Sequence, residues 1–419
     1  TVNGKPLGYF ADVSGLHIYG NGYGQLILAN CSDSVVEGGL FTNVLGIPAV
    51  TVIYSKNILI TGATVVDGGS AVQVISSDNV TMQDLTVTGL SQASFSIIAS
   101  SMVTMDGCTT TDSAAGFSIS DADNFTMNNC TFAGLNVAIG WIHPSENVTF
   151  TDNTFRDSYL GIVEADAKNK VFVNNVFVNC SLLFVSRAAG FYNMTMSGNT
   201  VNGKPIGYFI GVSGANIDAS KYGQLIFTQC SNITVTNTHI EDVSHAVVIS
   251  SCTDLTLQGA AIQRTGMGVA TYSSERVRVE GAYVNSSEYA AVCFYDSHNC
   301  SLVNSVVSMS AIGVDVMNAP YFRIHGTVVM GNEVGMNLDY SLAPTVTDTV
   351  FMDSEEDGIS TYNAVYGTFV GNSFLRNGIN ARDFGWLNMW DNGVDTGNYW
   401  DDYSGSGYYY VDGTARSVD

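Results

Sequence analysis

Apolar and polar positions alternate with a period of two over short runs along almost the whole chain, as from Gly116 to Ser120 (GFSIS) and from Phe125 to Asn129 (FTMNN). Alternation of this kind, rich in β-branched and aromatic residues, describes half-buried strands. Each run is closed by Asn, Asp, Ser or Gly, and a pattern of three short strands and their turns returns every 22 or 23 residues. Blocks begin at Gln25, Ile47, Ala71, Ala93, Gly116, Ala138, Gly161 and Leu183, and again at Gln224, Ala246, Gly268, Ala290, Gly313, Gly335 and Gly358. Helical periodicity is absent, and the links are too short for crossover helices. A unit this small cannot bury its apolar face alone, so neighbouring units must stack and share a core. The pattern predicts an all-β fold, a right-handed parallel β-helix of about 16–17 coils with three short strands per coil.

A longer repeat overlies the short one. Thr1–Phe10 (TVNGKPLGYF) and Thr200–Phe209 (TVNGKPIGYF) match at nine of ten positions across 199 residues. The match resumes at Tyr23–Ile27 with Tyr222–Ile226, and at Cys31-Ser32 with Cys230-Ser231. The expected organisation is a first β-helix unit over 1–199, a second over 200–385 continuous with it, and an aromatic, Asp- and Gly-rich cap over 386–419. Trp386, Trp390, Tyr399, Trp400, Tyr403 and Tyr408–Tyr410 are expected to cover the open edge of the last coil. The chain starts inside a repeat motif, so a processed mature protein is expected.

Asn79, Asn124, Asn147, Asn169, Asn232 and Asn299 recur at one place in their coils. Asn tolerates the left-handed conformation of tight corners, and stacked amides bond along a ladder. A Thr two residues on turns such a corner into a glycosylation sequon. Ten sequons result, at Asn30, Asn79, Asn124, Asn129, Asn147, Asn179, Asn193, Asn232, Asn285 and Asn299. Each is both a corner residue and a candidate glycan acceptor.

These Asn-X-Thr turns, the Gly-Asn-X-Phe strands, the NGKPIGYF segment and Gly397-Asn398-Tyr399-Trp400-Asp401-Asp402-Tyr403 resemble NosD-type β-helix proteins. Such proteins carry the carbohydrate-binding and sugar-hydrolysis (CASH) repeat and abound on the surfaces of methanogenic archaea. The resemblance covers essentially the whole chain. It implies a role like that of envelope, surface-layer or sheath components. The family's C-terminal segment is often longer and richer in Asp and Gly than the one found here.

Charge narrows the partners. Lys and Arg total 15 against 38 acidic residues, a net charge of −23. Phosphate backbones and anionic membrane surfaces are repelled, which excludes nucleic acid and lipid headgroups. No run of 18 apolar residues occurs, so no helical membrane span is expected.

Candidate chemistry is sparse. The Asn-Thr-Asp, Asp-Asp and Gly-His-Gly set of polygalacturonases is missing, and no lyase motif is found, so the protein is expected not to be an enzyme. One column offers acid–base groups. Asp121, His143 and Asp166 share an offset in successive coils, with Trp141 and Glu164 two residues earlier in theirs. Its bland alternative is a solvated surface column. Arg276, Arg278 and Glu280 alternate along one strand and read as a solvated stripe. Asp391, Asp395, Asp401 and Asp402 are a candidate metal set, with calcium as the ion, although no cofactor is expected to be required. Cys108 and Cys130, and likewise Cys230 and Cys252, are 22 residues apart, which stacks each pair for a disulfide in an oxidising compartment. Cys293 and Cys300 flank one turn and form a third candidate pair. Cys31 and Cys180 are left over, which points to bonds between chains.

The functional expectation is a structural cell-envelope protein, extracellular, assembling with copies of itself and contacting cell-surface glycans. The alternative is a carbohydrate-active enzyme or glycan-binding β-helix module.

Overall fold

The computed structural model describes residues 1–142, 145–164, 168–184, 194–405 and 407–419. The chain divides into two compact units, Thr1–Gly203 and Lys204–Asp419. Both are built from parallel strands, and among the described residues the one helical turn is Gly20–Gly22.

In the first unit one wall of the solenoid is a nine-stranded parallel sheet running from His17–Tyr19 to Met194–Ser197. In the second the matching wall has eight strands, from Ser213–Asp218 to Thr368–Val370. Each of these strands belongs to one coil. Most partners in neighbouring coils are 22 or 23 residues apart, as in Thr104 with Thr126 and Val103 with Val80, while the first pair of each wall is 18 apart, as in His17 with Val35 and Ser213 with Ser231. The three-strand coil is plain at Ala115–Ser120, Thr126–Asn128 and Thr131–Ala133. Elsewhere two strands run together through a kink, as in Leu40–Ile53, Ala261–Tyr272 and Tyr283–Tyr295. A single left-handed residue bends the chain at some of these places (Arg264, Ser286), so pairing continues where a turn was expected.

Inward positions form the core. Phe132, Phe155 and Phe177 stack on successive coils with centroids 5.6 and 5.1 Å apart. Phe351 and Phe374 do the same in the second unit at 5.4 Å. Corners are closed by hydrogen bonds from side chains. Asn153, Asn175 and Asn199 are buried, and each accepts from a backbone N–H of the coil before it. Their amides donate to the carbonyls of Met127, Phe150 and Phe172. Such a ladder satisfies groups that would otherwise be buried without a partner.

The outer corners behave as the Asn pattern requires. Asn79, Asn124, Asn147, Asn169, Asn232 and Asn299 all lie at φ between 51° and 59°. Asn79 donates to Asn57 at 2.9 Å, Asn147 to Asn124 at 3.1 Å and Asn169 to Asn147 at 3.0 Å. Of the sequon residues, Asn30, Asn129 and Asn179 share this left-handed, exposed setting. Asn285 is instead half-buried within Tyr283–Tyr295, and Asn193 lies outside the described residues.

The duplicated segment builds the same frame twice. Gly24 N donates to Pro6 O at 2.9 Å and Gly223 N to Pro205 O at 3.0 Å. The side chains pack closely over Gly8 and Gly207: a Cβ on Gly8 would lie 2.6 Å from Leu26 Cδ2 and one on Gly207 would lie 2.8 Å from Leu225 Cδ2, so those side chains would have to move.

The tail closes the last coils of the second unit. Trp390 stacks on Phe369 and Trp400 on Phe374, both at 4.3 Å, with Tyr409 on Trp400 at 4.1 Å. Asp383 is fully buried beneath it and accepts from Thr361 Oγ1, Gly385 N, Asn388 Nδ2, Trp390 Nε1 and Ser417 Oγ. Trp386, Tyr408 and Tyr410 remain exposed.

Candidate functional site on the outward face of the second unit

The column expected around His143 falls partly outside the described residues. His143 and Asp166 lie outside the described residues. The strand register slips between Ser118 and Ile119, so Ile119 pairs with Ile142, and Ile142 in turn pairs with Glu164. Glu164 therefore stands beside Ile142 rather than Trp141. Asp121 is exposed at a left-handed corner beside Ser120. The slip is a β-bulge, in which an extra residue on one strand re-aims the side chains beyond it.

Arg276, Arg278 and Glu280 form salt links on the surface. Arg276 grips Asp254 through Nε and Nη2 at 2.6 and 2.9 Å, and Arg278 grips Glu280 through Nε and Nη2 at 2.9 Å each.

The four candidate metal acids of the tail each accept hydrogen bonds from neighbouring groups. Asp391 accepts from Gly393 N and Asp395 from Asn392 Nδ2 and Thr396 Oγ1. Asp401 and Asp402 both accept from Asn380 Nδ2. Among the described residues no group of three or more His, Cys, Asp or Glu is placed to hold a metal ion.

All eight cysteines are unbridged and buried. Cys130 holds a corner that Asn153 and Asn175 hold on the next coils, and Cys230 and Cys252 hold one that Ser274 holds further on. A thiol at a corner bonds to carbonyls, as Cys130 does to Asn128 O at 3.3 Å and Cys252 to Ser250 O at 3.3 Å. Cys293 lies near the end of the strand Tyr283–Tyr295, whereas Cys300 lies in the turn after that strand. Cys31 and Cys180 are 2% and 0% exposed, so neither sulfur is presented to another chain in this fold. Burial pushes the Cys180 thiol up to about 12.

The chemistry that the fold does gather is on the outward side of the second unit's longest strands. One column runs Ala270, Cys293, Asp315, Asn337, Ser360, Arg382, each paired with the next. The column two residues along runs Tyr272, Tyr295, Met317, Asp339, Tyr362, Phe384 by the same pairings. Ala290, Cys293 and Tyr295 are buried, with Met267, Tyr272, Ile312 and Met317 packed against them. This makes a small apolar shelf outside the solenoid.

Asp315 sits at the edge of that shelf, 6% exposed. Its Oδ2 accepts from Tyr295 Oη, and from Tyr289 Oη at 3.4 Å. Burial raises its pKa, only partly offset by hydrogen bonds from Tyr295, Tyr289 and Asn337. Asp339 is half-buried and raised too, by burial first and then by the charge of Asp315. Arg382 reaches Asp357 at 3.2 Å, and burial raises Asp357 despite that cation. Past this floor the side chains become exposed and aromatic. Tyr340 and Tyr362 meet edge to face at 5.6 Å. Tyr362 pairs with Asp339 across the strands, and Trp386, 68% exposed, pairs with Val365. Carboxyl, amide, hydroxyl and guanidinium groups beside exposed rings supply hydrogen bonds and flat apolar faces together, the combination that holds a polyhydroxylated ring. Apart from Cys293, read as a disulfide candidate, and Trp386, read as part of the cap, these residues did not stand out in the sequence. The available signal was the recurrence of Cys293, Asp315, Asn337 and Arg382 at coil spacing among apolar neighbours.

Two family models match. A right-handed β-helix region covers residues 48–226, and the family described as periplasmic copper-binding protein (NosD) covers residues 184–405. No curated protein matches. Among solved structures, the chain is similar to the A-module of the Azotobacter vinelandii mannuronan C-5 epimerase AlgE6, with 15% identity and a TM-score of 0.31 over 87% of this chain and 90% of that one. It is also similar to a hyperthermoactive exopolygalacturonase from Thermotoga maritima, at 11% identity and a TM-score of 0.32 over 83% and 84%. PfbA, a surface adhesin of Streptococcus pneumoniae, is 10% identical with a TM-score of 0.28 over 97% and 89%. At that level of overlap nothing about activity transfers.

Copper, which the family's description carries, calls for clustered thiolate, thioether or imidazole donors. Thiols gather in two buried pairs, Cys108 with Cys130 and Cys230 with Cys252. His245 is buried and kept neutral, its pKa lowered to about 3 by burial. Neither pair has a third His, Cys, Asp or Glu gathered beside it among the described residues, so these thiols and imidazoles do not make a copper centre.

Proposed function

The chain belongs to the NosD family of β-helix proteins, and on that premise we propose that it is a structural protein of the cell envelope, working outside the cytoplasm without catalysis. It attaches to envelope glycan through the outward face of its second unit. The observation that carries this reading is the run of Tyr340, Tyr362, Tyr366 and Trp386, exposed over three successive coils beside Asp339, Ser360 and Arg382. Exposed apolar patches on a soluble surface mark contact sites. Aromatic side chains are rigid, so little conformational entropy is lost when they bind. The family's periplasmic description supports the location. Among the described residues no helix is long and apolar enough to cross a membrane. Assembly with copies of itself and glycans on the exposed sequons belong to the same reading.

Sedimentation with envelope fragments tests it. The protein should pellet with glycan-bearing fragments and stay in the supernatant after the glycan is stripped. Equal pelleting with both would contradict it.

A second reading, a carbohydrate-active enzyme, is favoured by one observation: Asp315 and Asp339 are two acids of one face, both raised by burial. An acid whose pKa is raised holds its proton to higher pH, which suits it to general acid catalysis. Release of reducing ends from a polysaccharide, lost in Asp339→Asn, would favour it over attachment.

A further inference from the structure

The segments that begin at Thr1 and Thr200 enclose different contents in one frame. Phe10 meets Tyr23 edge to face at 5.8 Å, and Phe209 meets Tyr222 the same way at 5.7 Å. Eight positions between them differ; among these, His17, Tyr19 and Gly22 in the first unit stand where Asn216, Asp218 and Lys221 stand in the second. In the first unit His17 stacks on Tyr19 at 4.6 Å, and its Nε2 meets Glu37 at 2.6 Å. In the second unit both rings are gone. A cavity of about 260 Å³ lies there, lined by Phe209, Asn216, Ile217, Asp218, Lys221 and Tyr222.

The cavity carries both signs of charge. Asp218 Oδ1 accepts from Ser220 N at 3.1 Å and Asn237 Nδ2 at 3.2 Å, which fixes the carboxylate in place. Hydrogen bonds from Ser220, then Asn237, keep it ionised, with a smaller contribution from the Lys221 charge. Lys221 Nζ lies 5.1 Å from the centroid of the Tyr222 ring. Among the described residues Lys221 and Asp218 do not approach within 4 Å. A gap between opposed charges is complementary to a ligand that carries both. The net charge of −23 repels small anions from the whole molecule but not a neutral zwitterion. Small-molecule sites span roughly 300–1,000 Å³, so this one has room for a single small unit.

We propose that the cavity binds a free α-amino acid as its zwitterion. The ammonium group meets Asp218, the carboxylate meets Lys221 with the Asn216 amide beside it, and an apolar side chain rests against Phe209, Ile217 and Tyr222. Charge pairs at an open rim contribute little each, so the dissociation constant is expected to be about millimolar.

Ligand-observed NMR on the full chain tests this with L-leucine, N-acetyl-leucine, leucinamide and leucyl-leucine. Leucine should bind saturably. Removing either charge should weaken binding at least several-fold, and the dipeptide, with its charges further apart, should bind more weakly. Lys221→Gly and Asp218→Tyr install the first unit's residues and should abolish binding without shifting the melting temperature. The reciprocal triple variant His17→Asn, Tyr19→Asp, Gly22→Lys should add a second equivalent of sites. The proposal is overturned by no saturable binding of leucine at tens of millimolar. It is equally overturned by binding that survives N-acetylation or Lys221→Gly, or by tighter binding of the dipeptide.

Discussion

Two columns, one from Tyr9 and one from Tyr208, run along the same kind of strand in the two units and end in different chemistry. The first continues through Ile27, Thr51, Gln73, Ser96 and Ser118, all half-exposed and uncharged. The second continues through Ile226, Val248, Ala270 and Cys293 to Asp315, all buried. The inward neighbours are alike: Leu28, Val52 and Val74 in one unit, Phe227, Ile249 and Phe294 in the other. The solenoid thus constrains what faces in and what sits at corners, and leaves the outward face free. Burying a carboxyl on that free face is costly unless it is hydrogen-bonded, and the ladder does not require it. A departure of that kind points to a contact surface rather than to folding.

If the interiors are equivalent, equal damage should cost equally. Phe155→Ala and Phe351→Ala should each destabilise by about 3–5 kcal/mol, as large-to-small core substitutions do, measured by urea unfolding. A cost confined to one unit would break the comparison at its base. Corners come next. Asn175→Ala orphans the Asn153 N–H and the Phe150 carbonyl, and Asn372→Ala orphans the Thr349 N–H and the Val346 carbonyl. Each should cost about 1–3 kcal/mol. A neutral effect at either would mean that water replaces the amide.

The outward faces should differ, and pH reveals it. Ser118→Ala should change stability by less than about 0.5 kcal/mol at any pH. Asp315 behaves otherwise, because its folded pKa lies above the unfolded value of about 3.9. The native state then holds a proton that the unfolded chain has lost, so stability falls as pH rises from about 4 through the folded pKa. Asp315→Asn should remove that fall. Its melting temperature should match wild type near pH 4 and exceed it at pH 8. A wild type that gains on the variant as pH rises would show the carboxylate to be stabilising. Asp383 gives the opposite sign. Its pKa is lowered despite burial by Ser417, Trp390, the Gly385 N–H and Asn388. Its contribution is present above pH 4 and is lost as pH falls through its folded pKa.

Much of the fold was legible because its causes are local. Strand alternation, coil spacing and left-handed Asn corners are each written in a few residues, and Asn79 or Asn147 reads the same alone as in the ladder. Bulges are not local in this sense. The slip between Ser118 and Ile119 has no marker in the sequence, and it displaced the expected partner of Glu164. Cys108 with Cys130 and Cys230 with Cys252 shared a corner as spacing implied, whereas Cys293 and Cys300 did not. A thiol at such a corner bonds to carbonyls as Ser and Asn do. The outward shelf was hidden because Asp315 and Asn337 occupy ordinary polar positions of an alternating strand. Only the packing of Tyr289 and Tyr295 over that strand distinguishes them from Gln73 or Ser96.

The smallest and most telling difference is in binding. Tyr362 in the second unit and Tyr54 in the first are both exposed tyrosines, 50% and 66% accessible. The decisive measurement is the affinity of wild type, Tyr362→Ala and Tyr54→Ala for the purified envelope glycan, determined by calorimetry on the full chain. The prediction is that Tyr362→Ala weakens binding by about tenfold, the equivalent of about 1.4 kcal/mol, while Tyr54→Ala leaves it unchanged. Equal affinities for all three proteins would contradict the assignment of the second unit's outward face as the contact surface.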